Sequence, residues 1–175
     1  MTDPRARWWG MALTLATLSV AAGCATGPRL TSGGPIAVAD KGYRVVAPAG
    51  WEAVESEADV ALRQPALQAG LMAHGTCDAK VTRRPLPVLA RHLRFGLRDV
   101  RELDQVPVEV AGRRGVRSRF TARLDGVPVA VGTVTVEGPR CVYDLVVVAP
   151  PDRLPEAAEA FEQFAASFAL TEPSR

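Results

Sequence analysis

The sequence predicts an α+β fold in which an antiparallel β-sheet meander packs with two helices. Three observations predict it: apolar runs typical of strands fill much of residues 106–148, segments with helical spacing lie on either side of them, and turn residues separate the runs. The 175 residues are 47% hydrophobic and 23% charged, which is the balance of a folded globular protein.

Short strands and one helix are expected in the first half of the domain. The β-branched and apolar runs at residues 43–46, 60–63 and 70–74 predict three short strands. Prolines at 85 and 87 suit a helix start. Apolar residues at helical spacing from Leu86 to Val100 then predict a helix over about 86–100.

The second half reads as a meander closed by a helix. Strands are expected at 106–110, 116–124, 127–136 and 142–148, and Asp125-Gly126 is a strong signal for a tight hairpin. The last strand is almost continuously apolar, which predicts a central position with both faces covered. From Leu154 to Phe168 the apolar residues define an amphipathic helix.

Two short motifs give this order of elements a family resemblance. Tyr43-Arg-Val-Val46 leads into Pro48-Ala-Gly50-Trp51, and the chain closes on Phe161, Phe164 and Ser167-Phe168. Over residues 42–170 this pattern resembles the Mog1/PsbP-like superfamily. The resemblance implies a non-catalytic adapter or binding module, and it supplies no catalytic residues.

Residues 1–23 are typical of an export signal. Arg5 and Arg7 precede an uncharged apolar run that is too short for a comfortable membrane span. The run ends in Ala21-Ala22-Gly23-Cys24, which resembles the lipobox of bacterial lipoproteins, with alanine where leucine is preferred at position 21. The resemblance implies that Cys24 is lipidated and becomes the first residue; the alternative is an ordinary signal peptide cut after Ala22.

The lipoprotein interpretation implies a location. Residues 24–41, rich in small residues and proline, are expected to be a flexible tether, and residues 171–175 a short tail. We therefore expect a lipid-anchored, periplasm-facing protein of the cell envelope, at the outer rather than the inner membrane. Multiple acyl chains would anchor it stably. We expect a monomer.

If Cys24 carries lipid, Cys77 and Cys141 remain as an even pair. In an oxidising compartment such a pair favours a disulfide. The alternative is two buried free thiols.

The candidates for chemistry are few. The two histidines, His74 and His92, have no neighbouring ligand set in sequence, and no catalytic fingerprint or metal motif is recognisable. We therefore expect no catalytic residues, metal or cofactor. Asp144 interrupts the most apolar strand, and Arg119 or Arg117 is the expected partner of its carboxylate. With Trp51, Asp144 and Arg119 form a candidate ligand cleft; the alternatives are a structural ion pair and a core tryptophan.

Charge is unevenly distributed. Residues 80–123 contain twelve basic and four acidic residues, although the whole chain has a formal charge of only +2. Four arginines, at 91, 94, 98 and 101, follow helical spacing and predict a basic face on the expected helix. Such a face suits binding to an anionic surface or an envelope protein; the alternative is an ordinary solvent-exposed face with no binding role.

These observations lead to one functional hypothesis and one main alternative; an enzyme built around His74, Cys77 or Asp144 ranks behind both. The first is an envelope lipoprotein with a non-catalytic adapter or binding domain held near the membrane. The alternative is a lipoprotein that captures a small or lipid-like molecule in a cleft against the sheet. Nucleic acid is not expected as a partner of an exported protein with near-zero net charge.

Overall fold

The computed structural model describes residues 34–171 and has the expected α+β architecture. The predictions for residues 1–33, including Cys24 and its signal, and for most of the 171–175 tail lie outside these residues. The strands are β1 (Pro35–Val38), β2 (Tyr43–Val46), β3 (Glu52–Ala53), β4 (Val60–Gln64), β5 (Ala69–Thr76), β6 (Arg98–Val110), β7 (Arg113–Leu124), β8 (Val127–Glu137), β9 (Val142–Ala149) and β10 (Ala169–Leu170). The helices are α1 (Ala79–Thr82), α2 (Leu86–His92) and α3 (Leu154–Ala166).

Within the described residues the strands form two antiparallel sheets. The larger has the order β3-β4-β5-β9-β8-β7-β6, and the smaller has the order β1-β2-β10. Strand β9 lies between β5 and β8, so the apolar run at Val142–Ala149 occupies the central position that its sequence predicts. The meander is confirmed, and the β7–β8 hairpin turns at Asp125 and Gly126, both with positive φ.

The large sheet is covered on both faces. One face carries the main core, in which Leu145 and Val147 of β9 pack with Phe161 and Phe164 of α3 and with Tyr43 of β2. On the opposite face, a second cluster joins Phe120 of β7 and Val146 of β9 to side chains that follow α2. The alternation of residues along β9 therefore feeds two separate cores.

The first helix is shorter than predicted. Helix α2 ends at His92, and the chain then turns through Gly96, which has a φ of +83°. Strand β6 begins at Arg98, so the prediction of a helix to residue 100 is wrong. Leu97 and Val100 nevertheless pack into the second core with Leu93, because the helix and the strand that follows it bury side chains on the same sheet face.

The tether prediction is also wrong in part. Pro35–Val38 forms strand β1, paired with β2 in antiparallel register from Pro35–Val46 to Val38–Tyr43. The 42–170 boundary therefore misses one strand of the domain. At the other end Ala169 and Leu170 form β10 on the far side of β2, and the Thr171 N–H donates to the Gly42 carbonyl.

Candidate functional site

A disulfide joins the start of β9 to the end of β5. Cys77 and Cys141 are bonded, with Cα atoms 4.1 Å apart across 64 residues of sequence. The pairing follows from the sheet, because Thr76 and Val142 are direct partners in the β5–β9 register. The predicted bridge is confirmed.

Beside the disulfide, Asp59 is the centre of a polar cluster that the sequence did not indicate. Its side chain is only 11% exposed and accepts hydrogen bonds from Lys41 Nζ at 2.6 Å, Tyr43 Oη at 3.0 Å and the Gly75 N–H at 2.7 Å. His74 Nδ1 lies 3.5 Å from the same carboxylate. The cluster ties the loop before β2, strand β2 and strand β5 together.

The electrostatics show that Asp59 is held as an anion. Burial alone would raise its pKa, but the hydrogen bonds from Lys41, Gly75 and Tyr43 outweigh burial and lower the pKa below the usual range. Burial and the Asp59 carboxylate together raise the pKa of Tyr43, so its hydroxyl stays a donor. With its oxygens engaged by three donors, Asp59 acts as a structural latch rather than a free base.

Nothing in the sequence indicated this role for Asp59. It lies in a loop with Glu55, Ser56 and Glu57, and the composition of this segment is that of an ordinary solvated loop.

Asp144 lies on the opposite side of the sheet from the main core. It is the register partner of His74 on β5 and of Thr135 on β8, and Thr135 Oγ1 donates a hydrogen bond of 2.7 Å to it. Burial raises the pKa of Asp144 to about 6, despite the opposing effects of the Thr135 hydrogen bond and nearby His74. Asp144 is therefore a buried carboxyl group whose pKa is about 6 and whose hydrogen-bond donor is the buried hydroxyl of Thr135.

The prediction that Arg119 or Arg117 pairs with Asp144 is wrong. Arg119 forms an ion pair with Asp104 on β6, and Arg117 forms a bidentate pair with Glu162 on α3, with both N–O distances 2.7 Å. These arginines point to the other face of the sheet, because their positions on β7 alternate with that of Ser118, the register partner of Thr133.

The predicted cleft is therefore not formed. Trp51 is 4% exposed and belongs to the main core, as its alternative interpretation expected. Asp144 and Arg119 point to opposite faces of the sheet, so the three residues do not share a surface.

The predicted basic face is dispersed over three local structures. Only Arg91 lies in α2; Arg94 is in the following turn, and Arg98 and Arg101 lie on β6. Arg94 pairs with Glu102, and its guanidinium lies 5.1 Å from the centroid of the Phe120 ring. The prediction of a basic helix face is therefore wrong. The four arginines instead lie in α2, in the turn after it and at the start of β6.

Two open grooves of about 620 Å³ each flank the second core. One lies at the start of α2, where Arg83, Arg84 and Leu86 face Val108 and Val116 of the β6–β7 hairpin. The other lies at the opposite end of the same hairpin, between Arg101, Arg123 and Pro151.

Within residues 34–171, no group of three His, Cys, Asp or Glu side chains is placed to hold a metal ion. No helix in this range is long and apolar enough to cross a bilayer.

Solved structures with a similar fold were found. One is cyanobacterial PsbP from Synechocystis sp. PCC 6803, with 12% identity, a TM-score of 0.56, and coverage of 89% of this chain and 98% of that one. The chain has a PsbP/Mog1-like fold.

Two further structures extend this similarity. LpqN of Mycobacterium tuberculosis, described as involved in cell envelope biogenesis, has 19% identity and a TM-score of 0.59, with 79% of this chain and 90% of that one covered. A variant of the protein Mog1 has 10% identity and a TM-score of 0.56, with 81% and 97% covered. No protein-family model and no curated protein sequence matches the chain. At these identities the similarity establishes the fold.

Proposed function

We propose that this protein is a cell-envelope lipoprotein whose PsbP/Mog1-like domain is a non-catalytic adapter or binding module, held near the membrane by lipid on Cys24. The domain faces the periplasm, at the outer rather than the inner membrane. Its partners are the membrane, reached through that lipid, and an envelope protein or anionic surface.

The observation that carries the envelope location is the Cys77–Cys141 disulfide. Disulfides persist in exported proteins and are rare in the reducing cytosol. The bond uses two of the three cysteines and leaves Cys24, which stands directly after the apolar segment, as the remaining thiol. The description of LpqN as a protein of cell envelope biogenesis supports the same location.

The arrangement of the polar side chains supports a binding role. Asp59 is saturated by hydrogen bonds that connect three segments, and Asp144 is bonded to Thr135 inside the sheet. Both groups are engaged by hydrogen bonds inside the domain, and Asp59 also holds its segments together. The exposed arginines and grooves offer surface for association instead.

The anchor is tested by Cys24→Ser in the native host, followed by membrane fractionation and metabolic labelling with palmitate. We expect the native chain in the membrane fraction with label, and the variant without label. The matched control is the double variant Cys77→Ser/Cys141→Ser, which loses the disulfide and keeps the label. Equal labelling of the Cys24→Ser variant would contradict the proposal.

A second candidate function is capture of an amphiphilic anion in the groove at the start of α2. Its favouring observation is the combination of Arg83 and Arg84, which have no ion pair among the described residues, with an apolar floor that includes Leu86, Val108 and Val116. A headgroup would meet the arginines and a chain the apolar floor.

Native mass spectrometry of the chain purified from its host tests this candidate. A bound species that is lost in Arg83→Ala/Arg84→Ala, but kept in the exposed control Arg44→Ala, would establish it. Retention of the species in the double variant would exclude this groove as its site.

A further inference from the structure

One end of the large sheet exposes apolar side chains that the two cores do not use. Phe95, in the turn between α2 and β6, is 96% exposed. At the tip of the β7–β8 hairpin, Leu124 is 45% and Val127 is 61% exposed. A single exposed apolar residue needs no explanation, but exposed apolar residues grouped at one edge indicate a contact surface.

The topology brings these residues to the same end of the sheet. Strand β6 begins beside the end of β7, where Arg98 is the register partner of Arg123. The next residues of β7 and β8, Leu124 and Val127, are partners in the hairpin. The turn that carries Phe95 and the hairpin tip are therefore neighbouring projections.

The turn is held in place from beneath. The Phe95 N–H donates to the His92 carbonyl, and the Leu97 N–H donates to the Arg94 carbonyl. Arg94 pairs with Glu102 and stacks over the buried Phe120 ring, while Leu97 packs in the second core. Phe95 alone in this turn is directed fully to solvent, on a support that need not be ordered on binding.

Arginines lie at the same end of the sheet as the apolar projections. Residues 91–101 contain four arginines and one aspartate. Arg94 and Arg123 are paired with Glu102 and Asp99, whereas Arg91, Arg98 and Arg101 have no ion pair among residues 34–171. One carboxylate, that of Asp125, lies at the hairpin tip between Leu124 and Val127.

We propose that this end, defined by Phe95, Leu124, Val127 and the arginines at 91, 98 and 101 and called here the Phe95 edge, docks on an anionic lipid surface. The arginines bind headgroup phosphates, and the three apolar side chains enter the interfacial region. Aromatic and aliphatic tips flanked by arginine suit the boundary between headgroups and acyl chains. Charge complementarity selects anionic lipid, and the long arginine stems let the charges reach phosphates while Phe95 inserts.

This inference rests on the proposed envelope location, since a lipid anchor would keep the Phe95 edge within reach of a bilayer. It adds an orientation to that proposal: the end of the large sheet where β6 begins and the β7–β8 hairpin turns faces the membrane. A tether alone specifies no such orientation.

The test is site-specific photo-crosslinking of the full chain in its native host. A photoreactive residue replaces Phe95 or Val127 in two variants, Glu159 on the exposed side of α3 in a control, and Ala25 in a fourth variant that reports on the anchor. We expect phospholipid adducts at Phe95 and Val127 by mass spectrometry, and none at Glu159. Absence of lipid at Phe95, equal adducts at Phe95 and Glu159, or an adduct of Phe95 with protein alone would overturn the inference.

The fourth variant separates this inference from the anchor. A lipid adduct at Ala25 with none at Phe95 keeps the anchor and refutes the docking surface. A lipid adduct at Phe95 with none at Ala25 supports the docking surface and counts against the anchor.

The arginines provide a second, independent measurement. Each basic residue near an anionic surface contributes about fivefold in binding. With the photoreactive residue at Phe95, Arg98→Ala/Arg101→Ala should lower the lipid adduct by at least tenfold, whereas the control Arg44→Ala on β2 should leave it unchanged. An unchanged yield in the double variant would refute the electrostatic part of the inference. Both substituted side chains are exposed, so thermal unfolding should confirm an intact fold.

Discussion

Replacing Asp144 by asparagine should stabilise the protein at neutral pH and have little effect in acid. Asp144 sits within the sheet between its partners His74 and Thr135, and burial raises its pKa to about 6 from the usual value of 3.8. Asparagine keeps an acceptor for the Thr135 hydroxyl, which donates to Asp144 Oδ1 at 2.7 Å, and it carries no charge.

The magnitude follows from the linkage between protonation and folding. A pKa raised by about two units corresponds to about 3 kcal/mol between the two protonation states. Because the folded-state pKa of Asp144 is the higher one, its favourable contribution is complete below pH 3.8 and is lost as the pH rises through about 6. At pH 7.5 the native protein therefore bears the cost of a buried anion that Asp144→Asn removes. In a domain of this size, about 3 kcal/mol raises the melting temperature by roughly 10 °C.

Urea unfolding of both proteins at pH 4 and pH 7.5 measures the effect. We expect a difference in the free energy of unfolding of about 2–3 kcal/mol at pH 7.5 and only about 0.6 kcal/mol at pH 4. The control Asp125→Asn changes an exposed hairpin carboxylate and should shift stability by less than about 0.5 kcal/mol at either pH. A difference for Asp144→Asn that is the same at both pH values would refute the assigned burial cost.

Three further predictions concern the scaffold. Cys77→Ser/Cys141→Ser should lower the free energy of unfolding by about 4 kcal/mol through the 64-residue loop, measured by urea unfolding; reduction of the native chain with no loss of stability would contradict this. Gly132→Ala should cost about 1–3 kcal/mol by thermal unfolding, because its Cβ would lie 2.9 Å from Val147 Cγ1, and an unchanged melting temperature would show that the core yields freely. Asp59→Ala leaves three donors without their acceptor and should cost about 2–4 kcal/mol by the same assay, so a neutral effect would remove the latch from the account.

Much of the architecture could be predicted from local pattern. The continuous apolar run of β9 predicted a central strand, Asp125-Gly126 predicted a hairpin, and the helical spacing of apolar residues from Leu154 predicted α3. In each case one interaction, whether strand burial, turn conformation or helix packing, decides the outcome and has a recognisable residue pattern.

The end of α2 could not be read in this way. Leu93, Leu97 and Val100 keep helical spacing in sequence, yet the last two follow the turn at Gly96. A helix followed by a strand can bury the same residues on one sheet face, so apolar spacing alone does not distinguish the two solutions. The glycine, with its positive φ, was the available signal of the break.

The partners of charged residues were even less accessible to sequence reasoning. Asp144 was expected to pair with Arg119 from a neighbouring strand, but the two side chains point to opposite faces of the sheet. Which side chains meet depends on the registers that join β7, β8 and β9, and the sequence does not give these registers. Asp59 stayed hidden for a related reason: its donors Lys41 and Gly75 come from distant segments. Phe95 looked like part of a helix and became an exposed projection only when that helix ended early.

The intact mass of the protein purified from its host membranes tests the central claim most directly. If the protein is anchored at Cys24, we expect the mass of a single chain that lacks residues 1–23, carries acyl chains on its first residue, Cys24, and retains the Cys77–Cys141 disulfide. An unacylated chain, or one that still carries residues 1–23 in its mature form, would contradict the proposed anchor.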